Sequence, residues 1–274
     1  MKVVGCPQCR GVRALIKKSR LCEELLDKVL LDDIESSATL RTFKTNTALC
    51  IKVVETLSNL LPPEKDKMLD LGCGYGGLTM FLKNVLGFRE AYGVDQDCQR
   101  LSVAKERGLK TYECDLEGHL PFAEETFELV TSFGVLEHLK FYDNVFREAC
   151  RVLKVQGSLL ISTTNLGSWA NRVALLFGYQ PRNIEVSRLK VVGVHKAYHE
   201  LYTKIEPIGH ISSCTMRALK ELMKFHGLRV ERVLGASDPY SKQGNFSLLK
   251  TLDVLLSKKP SLSTRVFIFA QRRY

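Results

Sequence analysis

The sequence predicts an α/β fold: a doubly wound, seven-stranded, mainly parallel sheet with one antiparallel edge strand, N-terminal helices and a lid-like insertion. Three observations predict it. Between residues 67 and 163, short apolar runs alternate with segments of helical spacing, which is the pattern of a parallel sheet covered by helices on both faces. Two late strand-like runs are separated by a short helical stretch, which predicts antiparallel pairing at one edge of the sheet. The chain has 274 residues, 45% of them hydrophobic, so it can bury a core without disulfide or metal support.

Taken in order, residues 10–33 place Val12, Leu15, Ile16, Leu21, Leu25, Leu26, Val29 and Leu30 mostly at helical spacing. Ser36 and Ser37 end that helix. A second helix fits 38–61 and stops before Pro62 and Pro63. Lys67 to Leu71 is a strand that runs into a glycine turn, and Leu78 to Leu86 is a helix. Ala91 to Val94 is a strand. The next helix, 97–107, is capped by Asp97 and ends at Gly108. Strands follow at Lys110 to Cys114 and Phe127 to Ser132, then a helix at 141–153 and a strongly apolar strand from Ser158 to Thr163.

Residues 165–211 have no clean period and hold Trp169 and three of the six histidines. A long irregular segment of this kind usually serves function, often as a lid. Thr215 to His226 is a helix with Gly227 as its stop. Leu228 to Leu234 and Arg265 to Ala270 are strands, with a helix at 246–257 between them. The expected division is an N-terminal segment, 1–37, and a main domain, 38–274, carrying the insertion.

The net charge of +10 invites a nucleic-acid reading, so its distribution matters. Residues 1–20 carry +6 and residues 242–274 carry another +6, leaving −2 for residues 21–241. The body of the protein is therefore nearly neutral. The basic stretch at 10–20 reads as the solvated face of a helix, with weak contact to an anionic membrane surface as the alternative. Nine scattered cysteines and no apolar run at Met1 to Gly5 lead to the expectation of a reduced, cytoplasmic protein. Cys6-Pro7-Gln8-Cys9 is half of a zinc-ribbon signature, but a second pair is missing, so no metal site is assigned.

The turn Gly72-Cys73-Gly74-Tyr75-Gly76-Gly77 follows a strand and opens a helix, where glycine lets backbone approach a ligand closely. Gly72, Gly74 and Gly77 satisfy the spacing of a dinucleotide fingerprint, and Asp95 stands where an acid would grip a ribose. The spacing alone leaves a dinucleotide and another ribose-bearing ligand open. Asp70 separates them. A carboxylate at this strand end repels a pyrophosphate but attracts an ammonium group, and S-adenosylmethionine carries an ammonium, a sulfonium and a ribose without phosphate.

These residues resemble the class I S-adenosylmethionine-dependent methyltransferases, with a Rossmann-like sheet, and in particular the type 11 small-molecule group related to quinone-biosynthesis enzymes. The likeness runs from about Leu69 to Asn165. Asp70-Leu71-Gly72-Cys73-Gly74 resembles the family's first motif, and Gly93-Val94-Asp95-Gln96 the second. Cys114-Asp115-Leu116, with Leu120-Pro121-Phe122 after it, resembles the third. Phe127 to Val130, followed by Glu137-His138, resembles the fourth strand and its Glu-His pair. The resemblance implies cofactor contacts from Asp70, Gly72, Cys73, Gly74, Asp95, Gln96, Asp115, Leu116 and Phe133. Asp95 would hold the ribose and Asp115 the adenine amino group.

Methyl transfer needs a nucleophile in line with the S–CH3 bond, and a hydroxyl, phenol or acidic carbon also needs a base. His138, after the fourth strand, and His210, at the end of the insertion, are the candidate catalytic residues; His195 and His199 lie inside the insertion. A small or medium organic acceptor is expected. The Asp/Asn-Pro-Pro-aromatic signature of many amino methyltransferases of nucleic acids is absent after the fourth strand, which reads Ser132-Phe133-Gly134-Val135. RNA methylation through the basic ends and non-catalytic cofactor binding stand as the alternatives.

Overall fold

The computed structural model describes residues 19–28, 37–195, 206–237 and 247–273. The Cys6–Cys9 motif, most of the basic N-terminal stretch and His199 lie outside the described residues.

The N-terminal helical stretch 19–27 (α1) is followed by α2 (Ala38–Thr45) and α3 (Thr47–Leu60). The single helix expected over 38–61 is thus two. Asn46 breaks it: its backbone leaves the helical region, at φ −143 and ψ 73, and its side chain accepts from the Leu49 N–H at 3.2 Å. A short polar side chain that caps the next helix competes with continuing the previous one.

The alternating segment then forms β1 (Lys67–Leu71), α4 (Gly77–Leu86), β2 (Glu90–Asp95), α5 (Cys98–Glu106), β3 (Lys110–Glu113), β4 (Phe127–Phe133), α6 (Asp143–Val152) and β5 (Leu153–Thr164). Asp97 caps α5 as expected, accepting from Gln99 and Arg100 N–H. In the insertion, Ser168 caps a helix that showed no amphipathic signal, α7 (Trp169–Leu176). It buries only Ala170 and Asn171, which is why no period marks it. The chain closes with α8 (Met216–Phe225), β6 (Leu228–Ala236), α9 (Ser247–Leu256) and β7 (Arg265–Arg272). Thr215 caps α8, and Gly227 follows it at φ 82.

The seven strands lie in the order β3-β2-β1-β4-β5-β7-β6. All pairs from β3 to β5 are parallel; β7 runs antiparallel to β5 and to the edge strand β6, so the reversal falls at that end of the sheet. Side chains alternate across the sheet with period two. Met68, Leu129, Leu160, Phe267 and Phe269 face one core with α1 to α5. Leu69, Leu71, Val130, Ile161 and Ile268 face the other, with α6 and α8. Chain order reverses between β1 and β4, and that topological switch opens a crevice at the carboxyl ends of the strands. Among the described residues, no helix is long and apolar enough to cross a membrane.

Candidate active site

A cleft of about 850 Å³ occupies that crevice. Asp70, Gly72, Cys73, Gly74, Asp95, Gln96, Asp115, Leu116, Phe133, His138 and His210 all line it. Residues spread over 140 positions of sequence are therefore brought to one place.

The glycine turn is built by its contacts. Gly72 and Cys73 donate to the Val94 carbonyl at 2.8 and 3.0 Å, tying the turn to β2. Gly72 sits at φ 76, and a Cβ there would lie 2.4 Å from Val135 Cγ2, so only glycine fits. Gly93 on β2 is required for a different reason: a Cβ would lie 2.5 Å from Cys73 Sγ. The left-handed glycines of the turn are Gly72, Gly74 and Gly76, whereas Gly77 begins α4. The N-cap of α4, Gly76, brings no side-chain cap to the helix end.

Two carboxylates frame the turn. Asp95 accepts from Gly74 N–H at 2.9 Å and from Asp97 N–H at 3.0 Å, which fixes its plane at the cleft wall. Asp70 is buried and accepts from the hydroxyls of Thr79 and Thr131 at 2.5 and 2.7 Å. Burial pushes its carboxyl up to about 6, against the two hydroxyls that lower it, and the Asp95 charge adds to the rise. A cationic group in the cleft would relieve both burdens. At the outer rim Asp115 is exposed and accepts from Glu117 N–H at 2.9 Å in an Asx turn.

The opposite wall is formed by the turn after β4, including the 3-10 turn Leu136–His138. Glu137 is buried; it accepts from Thr163 Oγ1 at 2.8 Å, with Arg265 Nη2 at 3.8 Å and His210 Nε2 at 4.0 Å. His138 is exposed, and its Nδ1 lies 3.0 Å from the Gly209 carbonyl oxygen. A carbonyl can only accept, so this contact puts a proton on Nδ1, and in the neutral ring Nε2 then keeps the lone pair. The His210 ring packs edge-on to that of His138 at 5.1 Å. Burial, with His138 and Arg265 assisting against Glu137, brings His210 down to about 4, so it is neutral near pH 7. His195 packs against the Tyr179 ring at 4.7 Å.

The sequence reading missed several parts of this wall. Ser37 to Leu40 of the α2 start, Arg182, Arg265 and Ile208 also bound the cleft. Their signal is weak because the contacts are long-range: Arg265 reaches Ser162 and Glu137, and Thr39 reaches Ser162 at 3.5 Å.

The donor set suits a ligand with a cation and a diol: one strained buried carboxyl, one oriented carboxylate and a backbone turn that leaves room for close approach. It does not suit a pyrophosphate, which Asp70 would oppose.

Comparison with known proteins agrees with this geometry. Residues 69–161 match the family Methyltransf_11, described as a methyltransferase domain. The human mitochondrial ubiquinone biosynthesis O-methyltransferase is 27% identical over 191 residues, covering 66% of this chain and 46% of that protein. The ubiquinone/menaquinone biosynthesis C-methyltransferase UbiE of Xylella fastidiosa (strain M12) is 38% identical over 102 residues, covering 34% of this chain and 40% of that protein. The chain thus spans less than half the length of these curated relatives. Among solved structures, an S-adenosylmethionine-dependent methyltransferase from Mesorhizobium loti superposes with a TM-score of 0.52 at 19% identity, covering 80% of this chain and 96% of that one. Geranyl diphosphate C-methyltransferase from Streptomyces coelicolor A3(2), solved with S-adenosyl-L-homocysteine, gives 0.53 at 16% identity, covering 81% and 77%. The chain has the fold of the S-adenosylmethionine-dependent methyltransferases, and its residues 69–161 match the Methyltransf_11 methyltransferase domain.

Proposed function

We propose that the protein transfers a methyl group from S-adenosylmethionine to a small or medium organic acceptor. The observation that carries the reading is the pairing of a buried Asp70 with an oriented Asp95 around the glycine turn, in a cleft at the sheet's switch point. When bound, S-adenosylmethionine supplies an electrophilic methyl on a positively charged sulfur. Asp70 and the turn residues Gly72, Cys73 and Gly74 would hold its amino acid end, Asp95 and Gln96 the ribose, and Asp115 and Leu116 the adenine. Phe133 would pack beside the methionine portion.

The acceptor would lie against the wall that carries His138 and His210. His138 presents Nε2 as a proton acceptor, while the buried, neutral His210 shapes the wall beside it. Relatives named for ubiquinone biosynthesis support an acceptor of small-molecule size. The nine scattered cysteines support a reducing compartment such as the cytoplasm.

The test is single-turnover transfer from methyl-labelled S-adenosylmethionine to a mixed small-molecule extract, with total RNA in a parallel reaction. Label on a small molecule is expected. Label on RNA alone, or on nothing while the cofactor stays bound, would overturn the reading.

A further inference from the structure

The insertion contains a buried carboxylate that no part of the proposed chemistry uses. Glu185 has its side chain 8% exposed, as has Arg182. Its Oε2 accepts from three consecutive backbone N–H groups: Ile208 at 3.0 Å, Gly209 at 2.7 Å and His210 at 3.1 Å. Its Oε1 accepts from Ile208 N–H at 2.9 Å and from Arg182 Nη1 at 2.7 Å. Arg182 Nη2 also donates to the Glu206 carbonyl at 3.2 Å, and the Glu185 N–H donates to the His210 carbonyl at 2.9 Å. Successive backbone N–H groups that converge in this way form an anion cradle. Here the anion is a side chain of the same protein.

The cradle has a second side. Gly209, at φ 83, turns its N–H toward Glu185 and its carbonyl toward His138 Nδ1, 3.0 Å away. The Glu137 carbonyl accepts from Ile211 N–H at 2.9 Å, so the segment after the cradle is fixed to the same turn that bears His138. In water a neutral histidine favours the proton on Nε2. The carbonyl of Gly209 reverses that preference, but only while residues 208–210 keep this conformation.

We infer that Glu185 is a positioning residue: by filling the 208–210 cradle it holds the Gly209 carbonyl on His138 Nδ1 and so keeps Nε2 free as the proton acceptor. The inference rests on the reading of His138 as the acceptor of the substrate proton. The tautomer itself is measurable without any substrate.

The experiment is nitrogen-15 NMR of the imidazoles in the full chain, with His138→Ala used to assign its signals. Wild type, Glu185→Gln and Glu185→Ala are compared, the last also with added formate to refill the cradle. The wild-type ring should be protonated at Nδ1. In both variants the proton should shift to Nε2 or average between the two nitrogens, and formate should restore the wild-type pattern in Glu185→Ala. S-adenosylmethionine binding, measured on the same samples, should be unchanged. This separates failure of the inference from failure of the cofactor assignment. A wild-type ring protonated at Nε2, or folded variants that retain Nδ1–H, would overturn the inference. Loss of folding in both variants that formate does not reverse would assign Glu185 to fold stability alone, and would overturn it as well.

Discussion

The Asp95 carboxylate accepts a hydrogen bond from the Gly74 N–H at 2.9 Å across 21 residues of sequence. The end of β2 and the glycine turn after β1 therefore move as one wall of the cleft. Removing that carboxylate takes away the proposed ribose contact and loosens the turn together. A hydrogen bond to a charged group contributes about 1.5–3 kcal/mol, so Asp95→Ala should weaken S-adenosylmethionine binding roughly 10- to 100-fold. Asp95→Asn should fall between, because the amide oxygen still accepts from Gly74. Equilibrium dialysis of labelled cofactor measures both.

Asp70 makes stability and binding oppose each other. Its carboxyl gives up a proton near 3.8 when unfolded and near 6 in the fold, chiefly because it is buried. Between those values the folded state binds more protons than the unfolded state, so stability falls as pH rises through this window. The loss reaches about 3 kcal/mol above it, at 1.36 kcal/mol per unit. Asp70→Asn should flatten that segment of the pH–stability curve in urea titrations. The same substitution should weaken cofactor binding. In wild type, a cation bound beside Asp70 draws off its proton, so affinity should rise as the pH climbs through about 6. Affinity that is level across that range would remove Asp70 from contact with the cation.

Much of this site was legible because its signals are local. A strand, a glycine turn and an acid one strand later fall within 27 residues, from Asp70 to Gln96, and each is set by neighbours in sequence. The Asp97 cap and the Gly227 stop were readable for the same reason. The break at Asn46 was not, since Thr45 and Thr47 around it continue either one helix or two, and only the cap to Leu49 decides. Glu185 and Arg265 were invisible because, Arg182 beside Glu185 apart, the partners described for them lie 23 to 128 residues away, with no periodicity linking them. In the insertion, backbone hydrogen bonds to one carboxylate take the place of an apolar stripe.

Gly72 should tolerate no side chain. A left-handed φ costs a non-glycine residue about 1–2 kcal/mol, and the contact with Val135 Cγ2 adds to it. Gly72→Ala should lower the urea midpoint and abolish cofactor binding. In the double variant with Val135→Ala the clash is relieved but the φ cost stays, so part of the stability should return. Strict additivity of the two substitutions would show that Val135 does not press on the turn.

Phe43 links the α2 wall of the cleft to the sheet. Its ring stacks on Phe267 at 5.6 Å, and both are fully buried. Phe43→Ala should cost about 3–5 kcal/mol in chemical denaturation, the range for deleting a buried aromatic ring. If the protein stays folded, the shift of Ser37 to Leu40 should raise the acceptor KM more than the cofactor Kd.

His138→Ala should reduce turnover roughly 10²- to 10⁴-fold, the usual contribution of a positioned base, with cofactor affinity unchanged. Steady-state kinetics on the acceptor found by the labelling screen would measure it. Full turnover would mean that the acceptor needs no proton removed by this residue.

The central claim, that this cleft is built for S-adenosylmethionine, is tested most directly by calorimetric titration of the cofactor into wild type and Asp95→Ala. The account predicts saturable one-site binding to wild type that weakens at least tenfold in the variant while the fold is retained. Absence of binding to wild type, or equal affinity in the two proteins, would contradict it.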